Sequence, residues 1–400
     1  MLNLHSGLPY SLIRYGIPFI YPSLEKDLRA DVVIVGGGIS GALTAYALAQ
    51  EGVDVVVADA RTIGLGSTAA STSLVQYEID APLVKLAEKI GMAKAAAAYQ
   101  LSHESVEALA EICRKTGFPL FESRPSMYLA SASKDVAWMK SEYEARKALG
   151  FDVQLWHPGM ITRTMGFDVP AAIYSETAAQ TDAYMLTHHL HQYNIKKGVS
   201  VYDRTQIVRV SRTRQQVKLI TEKGYQITAK YMVVATGYEA MQYIKEPLVQ
   251  LHSTYALVSE NLPQQHQWYK NCLLWETRQP YLYMRTTADN RILVGGRDEA
   301  YYSPQRRDRL IRRKSGTLVK DFAARFPHIP LVPELMWTGT FATTEDGLPF
   351  IGAYPRLKRT FFALGFGGNG ITFSQLAADS IAALIKGRKS EAQKLFAFGR

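Results

Sequence analysis

Residues 31–59, DVVIVGGGISGALTAYALAQEGVDVVVAD, constrain the fold of this chain more than any other stretch. Asp31 to Val35 is a run of β-branched residues ending in a glycine turn. Ala42 to Gln50 is rich in alanine and leucine with a helical pattern, and Val53 to Ala58 is a second apolar strand closed by Asp59. Gly36, Gly38 and Gly41 spell G-x-G-x-x-G around Ile39 and Ser40, and Asp59 stands 18 positions past Gly41. A strand, a glycine turn, a helix, a second strand and an acid at its tip form the fingerprint of a dinucleotide-binding βαβ unit. Gly36 permits the tight turn, Gly38 lets backbone approach a pyrophosphate, and Gly41 lets the helix pack closely on the strand. The helix N-terminus offers free N–H groups and a positive dipole end to phosphates. Asp59, followed by Ala60 and Arg61, accepts from a ribose hydroxyl.

The chain has 400 residues, which favours two domains over one core. Its two cysteines, Cys113 and Cys272, are far apart and outside any CxxC, which argues against a disulfide framework, an iron–sulfur site or a cysteine zinc site. They fit a reducing compartment. No apolar stretch reaches the 18 or so residues of a membrane helix. The N-terminus, broken by Pro9, Pro18 and Pro22, reads as an irregular lead-in packed on the first domain and lacks the pattern of a signal peptide. Cytoplasmic residence is the expectation. The net charge is +10, part of it in Arg306, Arg307, Arg309, Arg312, Arg313 and Lys314. Because Asp308, Leu310 and Ile311 interrupt that run, it reads as a solvated helix face.

After Asp59 comes a loop of small residues and hydroxyls, including Gly64, Gly66, Ser67, Thr68 and Ser73. Small residues let a flat ring lie against backbone, and hydroxyls donate to phosphate or ring oxygens. Residues 82–117 and 135–149 read as helical, with a strand between Pro125 and Ser131. His188, His189 and His191 sit in a helical segment, but no further ligand is placed to complete a metal site, so no metal is expected. Strands resume through VSVYDRTQIVRVSRT and QVKLITEKGYQITAKYMVVATG as a hairpin or meander, the last running into Ala235, Thr236 and Gly237. In residues 252–299, period two puts Tyr281, Tyr283 and Arg285 on one face. A strand, a glycine turn at Gly365, Gly367, Gly368 and Gly370, and a helix beginning near Thr372 close the chain. A second helix N-terminus is thus offered to a ligand. A return more than three hundred residues later to cap the first βαβ unit suits a long ligand, which favours FAD over NAD.

The ordered set VVIVGGGISGALTAYALA with Asp59, GLGSTAAS, VVATG, YLYMRTTADNRILVGG, DGLPFIG and GFGGNGI resembles the D-amino-acid oxidase superfamily of flavoproteins, which includes glycine, sarcosine and γ-glutamylputrescine oxidases. The resemblance spans residues 31 to about 385. It implies a mixed α/β fold in which a Rossmann-like FAD-binding domain (1–85, 165–245 and 335–400) is interleaved with a β-sheet-plus-helices substrate domain (86–164 and 246–334). It further implies that Gly36, Gly38 and Gly41 hold the pyrophosphate, that Asp59 holds a ribose, and that Ser67, Thr68 and Ser73 line the flavin. Ile207 would touch the adenine through its backbone, Ala235 and Gly237 would lie near the ribityl or adenosine part, and Gly367 to Thr372 (with Asn369, Gly370 and Ile371) would meet the pyrimidine edge. Gly347 joins this set through the DGLP turn.

Two departures matter. Sarcosine-oxidase relatives tether FAD to a cysteine just upstream of the DGLP-like motif, and WTGTFATTEDG has none, so the expected FAD is noncovalent. The same relatives carry a lysine, linked to oxygen activation, where this chain has Thr372. A dehydrogenase passing electrons to another carrier therefore stands beside an oxidase using oxygen. The expected reaction is hydride transfer from an amine or amino acid to the flavin. Tyr255, Tyr281, Tyr283 and Trp275 are candidates for an aromatic pocket, and Tyr283, Arg285, Tyr255 and Asn369 are the candidate catalytic residues. Arg285 is the candidate carboxylate clamp, weighed equally against a cross-strand salt bridge. A transfer-RNA-modifying enzyme and a non-catalytic flavin-bound assembly factor remain alternatives. No RNA-binding module or basic-aromatic patch is visible, so nucleic acid is not an expected partner.

Overall fold

The computed structural model describes residues 1–400, apart from the side chain of Gln265. The β-branched run predicted at the start of the fingerprint forms the strand Leu28–Val35, whose last four residues are fully buried. It lies parallel to Val55–Ala58 on one side and to Gln226–Val234 on the other. Ser200–Tyr202 extends this sheet beyond Val55–Ala58. On its far side, Gln226–Val234 pairs first with Val217–Thr221, which continues to Ile207–Arg212, and then with Thr360–Leu364. The meander read from the sequence is present, and the final strand docks parallel to Gln226–Val234, one strand away from the first βαβ unit. The helix Ile39–Gln50 packs between Gly370–Ile385 and Ala183–Lys196 on one face of the sheet. Ser40 and Ser374 hydroxyls meet at 2.7 Å, so two helix N-termini stand side by side over the carboxyl ends of the parallel strands. That is where ligands bind in open α/β sheets.

A nine-stranded sheet supplies the other wall. Its centre is Gln250–Ser259, Ile292–Glu299 and Leu282–Thr286, and it runs out through Leu273–Glu276 to Ser126–Leu129. Pro333–Thr343 and Ala172–Ser175 also belong to it. The lead-in is more regular than expected: His5–Gly7 pairs with Trp337–Gly339 as an edge strand, and Tyr10–Tyr15 is a helix. Pairing satisfies its backbone groups where the prolines leave room.

The basic segment also differs from expectation. It breaks at Leu310 into Pro304–Arg309 and Ile311–Arg325. Its face is not uniformly solvated. Arg307 is fully buried and donates to Asn3 O, Asn3 Oδ1 and Thr340 Oγ1 at 3.0, 2.8 and 2.8 Å. Lys314 donates to Arg297 O at 2.8 Å and pairs with Glu299. The lead-in supplies acceptors that no local pattern announces.

The histidine-bearing helix, capped by Asp182 through Met185 N–H at 2.9 Å, runs beneath the glycine turn. His191 Nε2–H donates to Gly37 O at 3.0 Å, and His188 Nδ1 lies 3.1 Å from Tyr21 OH. Both rings are fully buried, and burial, the largest cause, lowers both pKa values to about 4. Each is therefore neutral when folded and titrates near 6.5 when unfolded, so this stability is complete above pH 6.5 and is lost as pH falls toward 4. The contribution is roughly 3 kcal/mol per histidine. The midpoint of thermal unfolding should fall steeply between pH 6.5 and 4, and His191→Gln should flatten that dependence. An unchanged slope in the variant would remove His191 as its source.

Candidate active site

The glycine turn is built by close approach. Gly36 sits at φ +108°, and a Cβ there would lie 2.4 Å from Ala235 O. A Cβ on Gly41 would lie 1.9 Å from Gly36 O, and one on Gly38 would lie 2.9 Å from Thr68 Oγ1. Gly37 and Arg61 N–H groups donate to Asp59 Oδ2 and Oδ1 at 2.6 and 2.7 Å, which fixes the acid at the strand tip. Burial pushes the Asp59 carboxyl above its ordinary range against the pull of these donors and of the Arg61 charge. Arg61 forms a two-pronged pair with Glu239 at 2.6 and 3.0 Å. The loop after Asp59 turns through the short helix Ser67–Ala70, pinned by Trp337 Nε1–H to Ala70 O at 2.9 Å.

One cavity of about 330 Å³ runs from this turn, past the 64–74 loop, to the tyrosines of the nine-stranded sheet. All the candidate cofactor-binding residues line it except Gly41, Gly347 and Thr372. Gly41 instead seats the helix against the turn. Gly347 sits at φ +81°, where an added Cβ would lie 3.3 Å from Ala81 Cβ. Thr372 is buried and donates to Gln76 O at 2.9 Å.

Among the candidate catalytic residues, Tyr283 and Tyr255 line the cavity. Tyr283 lies over Gly295 of the next strand, where a Cβ would come within 2.3 Å of its hydroxyl, and its ring is 5.7 Å from that of Tyr281. Asn369 also lines the cavity, but its amide donates to Gln76 O and Glu78 O at 3.2 and 2.8 Å, so it positions backbone. Arg285 is not in the cavity. Period two does place it on the face of Tyr281 and Tyr283, yet two residues further on the 71–74 loop covers that face. Its guanidinium donates to Thr72 O at 2.7 Å and Thr286 O at 3.1 Å, and it borders a small separate pocket. Neither the carboxylate clamp nor the exposed salt bridge is what the fold makes of it.

Sequence reasoning missed Asp80, Asp298 and Tyr238, which line the same cavity. Asp80 accepts from Gly368 N–H at 2.7 Å. Burial pushes the Asp298 carboxyl up to about 7, with the Asp80 charge adding and Thr254 and Lys314 opposing. No local motif marks any of the three.

The cavity fits the FAD expected from the motifs. The turn is a cradle that any Cβ would fill, and buried Ser67 Oγ, Gln76 Nε2 and Thr236 Oγ1 lack a hydrogen-bond partner along its wall. Unpaired buried polar atoms are costly, and a long polar ligand satisfies them.

Comparison with known proteins agrees. The model of a family described as FAD dependent oxidoreductase (DAO) matches residues 31–384. Gamma-glutamylputrescine oxidoreductase of Escherichia coli (strain K12) is 25% identical over 94% of this chain and 88% of its own. Glycine oxidase of Geobacillus kaustophilus (strain HTA426) is 26% identical over 92% of this chain and 96% of its own. A crystal structure of glycine oxidase from Geobacillus kaustophilus shares the fold with a TM-score of 0.77 at 22% identity, covering 93% of this chain and 99% of that one.

Proposed function

This chain belongs to the FAD dependent oxidoreductase family, and on that premise we propose that it oxidises a primary or secondary amine or amino acid at the carbon next to nitrogen. The observation that carries the reading is one cavity joining the glycine turn to a chamber walled by Tyr281, Tyr283, Tyr128 and Trp275. FAD, when bound, supplies the two-electron acceptor for hydride from that carbon, and water hydrolyses the released imine.

In this reading the turn at Gly36 and Gly38 receives the pyrophosphate, Asp59 a ribose and Ile207 the adenine. Ser67, Thr68 and the backbone from Gly367 to Ile371 face the flavin. The segments 1–85, 165–245 and 335–400 act as the FAD-binding part, and 86–164 and 246–334 as the substrate part. The aromatic chamber excludes water and favours the neutral amine, which is the form that gives up hydride. The curated relatives' names, a glycine oxidase and a gamma-glutamylputrescine oxidoreductase, support an amine substrate.

The test is anaerobic addition of glycine, D-amino acids, N-methyl amino acids and polyamine derivatives to the yellow holoprotein. Bleaching of the flavin band by one of them is the expected result, and readmitted oxygen then separates oxidase from dehydrogenase. A flavin that none of them bleaches overturns the proposal. The FAD should also leave with acid precipitation, because Cys113 and Cys272 lie outside the cavity lining and burial pushes both thiols up to about 12. Colour that stays in the pellet would refute noncovalent attachment.

A further inference from the structure

The chamber's charge inventory points to a more specific substrate, given the amine reading above. Among the described residues lining the cavity, the one cationic side chain is Arg61, at the nucleotide end and already paired with Glu239. Carboxylates, by contrast, gather at the tyrosine end. Glu276 is held by Arg278 and Arg325 at 2.8 and 3.1 Å, and Glu78 lies 3.6 Å from Arg146. Asp80 and Asp298 form no salt bridge among the described residues: Asp80 has only the Gly368 N–H, and Asp298 Oδ1 is buried without a hydrogen-bond partner.

Tyr281 adjoins Asp80 and feels the charge of both acids. A Cβ on Gly368 would lie 2.7 Å from Asp80 Oδ1 and 2.9 Å from Tyr281 OH, so all three meet at one point of the wall. The charges of Asp80 and Asp298 both raise the Tyr281 phenol, behind burial as the main cause. Half-buried carboxylates without a salt-bridge partner are costly, and an arriving cation offsets that cost. Aromatic faces beside them add cation–π attraction. A substrate carboxylate would meet two acidic side chains and no guanidinium, because Arg285 is tied to the carbonyls of Thr72 and Thr286.

We propose that the substrate is an amine bearing a second, distal positive charge and no carboxylate, with Asp298 and Asp80 receiving that distal ammonium between Tyr281 and Tyr283. Both acids then set specificity.

The test uses the holoprotein and three probes of one carbon length: 1,4-diaminobutane, n-butylamine and 4-aminobutanoate. Half-saturation is read from perturbation of the flavin band and from anaerobic bleaching. The diamine should bind at least about tenfold more tightly than butylamine, and 4-aminobutanoate about tenfold less tightly, the scale of one favourable or unfavourable charge contact. Asp298→Asn and, separately, Asp80→Asn should narrow the diamine-to-butylamine ratio at least about threefold while FAD content and circular dichroism match the parent. Equal or tighter binding of 4-aminobutanoate overturns the inference, as does an unchanged ratio in both variants. Bleaching by glycine with the diamine inert overturns it while leaving the amine reading intact. A flavin unresponsive to every amine overturns both.

Discussion

Gly41→Ala is expected to yield a folded but colourless protein. The added Cβ would stand 1.9 Å from Gly36 O, a backbone atom that cannot turn aside. The helix must then move off the strand by an ångström or more, carrying its first-turn N–H groups away from the pyrophosphate. Loss of that cradle should weaken FAD binding by about a thousandfold, or about 4 kcal/mol. The measurement is flavin content per polypeptide after dialysis, with circular dichroism as the folding control. Gly159→Ala is the comparison, because nothing lies within 4 Å of its added Cβ. A Gly41→Ala protein that keeps its full flavin complement would refute this account of the turn.

The second large effect concerns stability. Arg146 is fully buried between two carboxylates, with Nε donating to Glu142 Oε1 at 2.7 Å and Nη1 at 3.6 Å from Glu78 Oε1. The Glu142 oxygens also accept from Leu83 and Val84 N–H, both at 2.9 Å, and so anchor the first turn of the helix Leu83–Ile90. Glu78 lines the cavity, so this cluster supports the site from behind. Arg146→Met removes the cation and leaves two buried acids unpaired, a change that typically costs 3–5 kcal/mol. Thermal unfolding should drop by roughly 5 °C. Adding Glu142→Gln to it should recover part of the loss, because the second change removes one of the stranded charges. A single variant that melts within about 2 °C of the parent would show that the cluster is not a buried ion network.

Much of the molecule was legible in the sequence. The βαβ fingerprint needs only local information: period-two and helical patterns, glycines at fixed spacing and an acid at a strand tip. Those residues fold within one unit, and the close approach of Gly41 to Gly36 follows from their spacing. The terminal glycine turn and its helix were readable for the same reason.

The character of the tyrosine-walled chamber was not readable, because it depends on segments far apart in the chain. Asp80 meets Gly368 across 288 residues, and its surroundings lack a cation only because of how the sheets are stacked. Arg307 is buried because Asn3 comes to it from 304 residues away. Arg285 kept the face that alternation assigns, yet the 71–74 loop lies over that face and takes its guanidinium. Periodicity fixes the direction of a side chain from its own strand. Burial, charge and partners are set by what packs against that strand, so the sequence by itself determined the glycine turn, and only the tertiary structure decided which charges line the tyrosine end of the cavity.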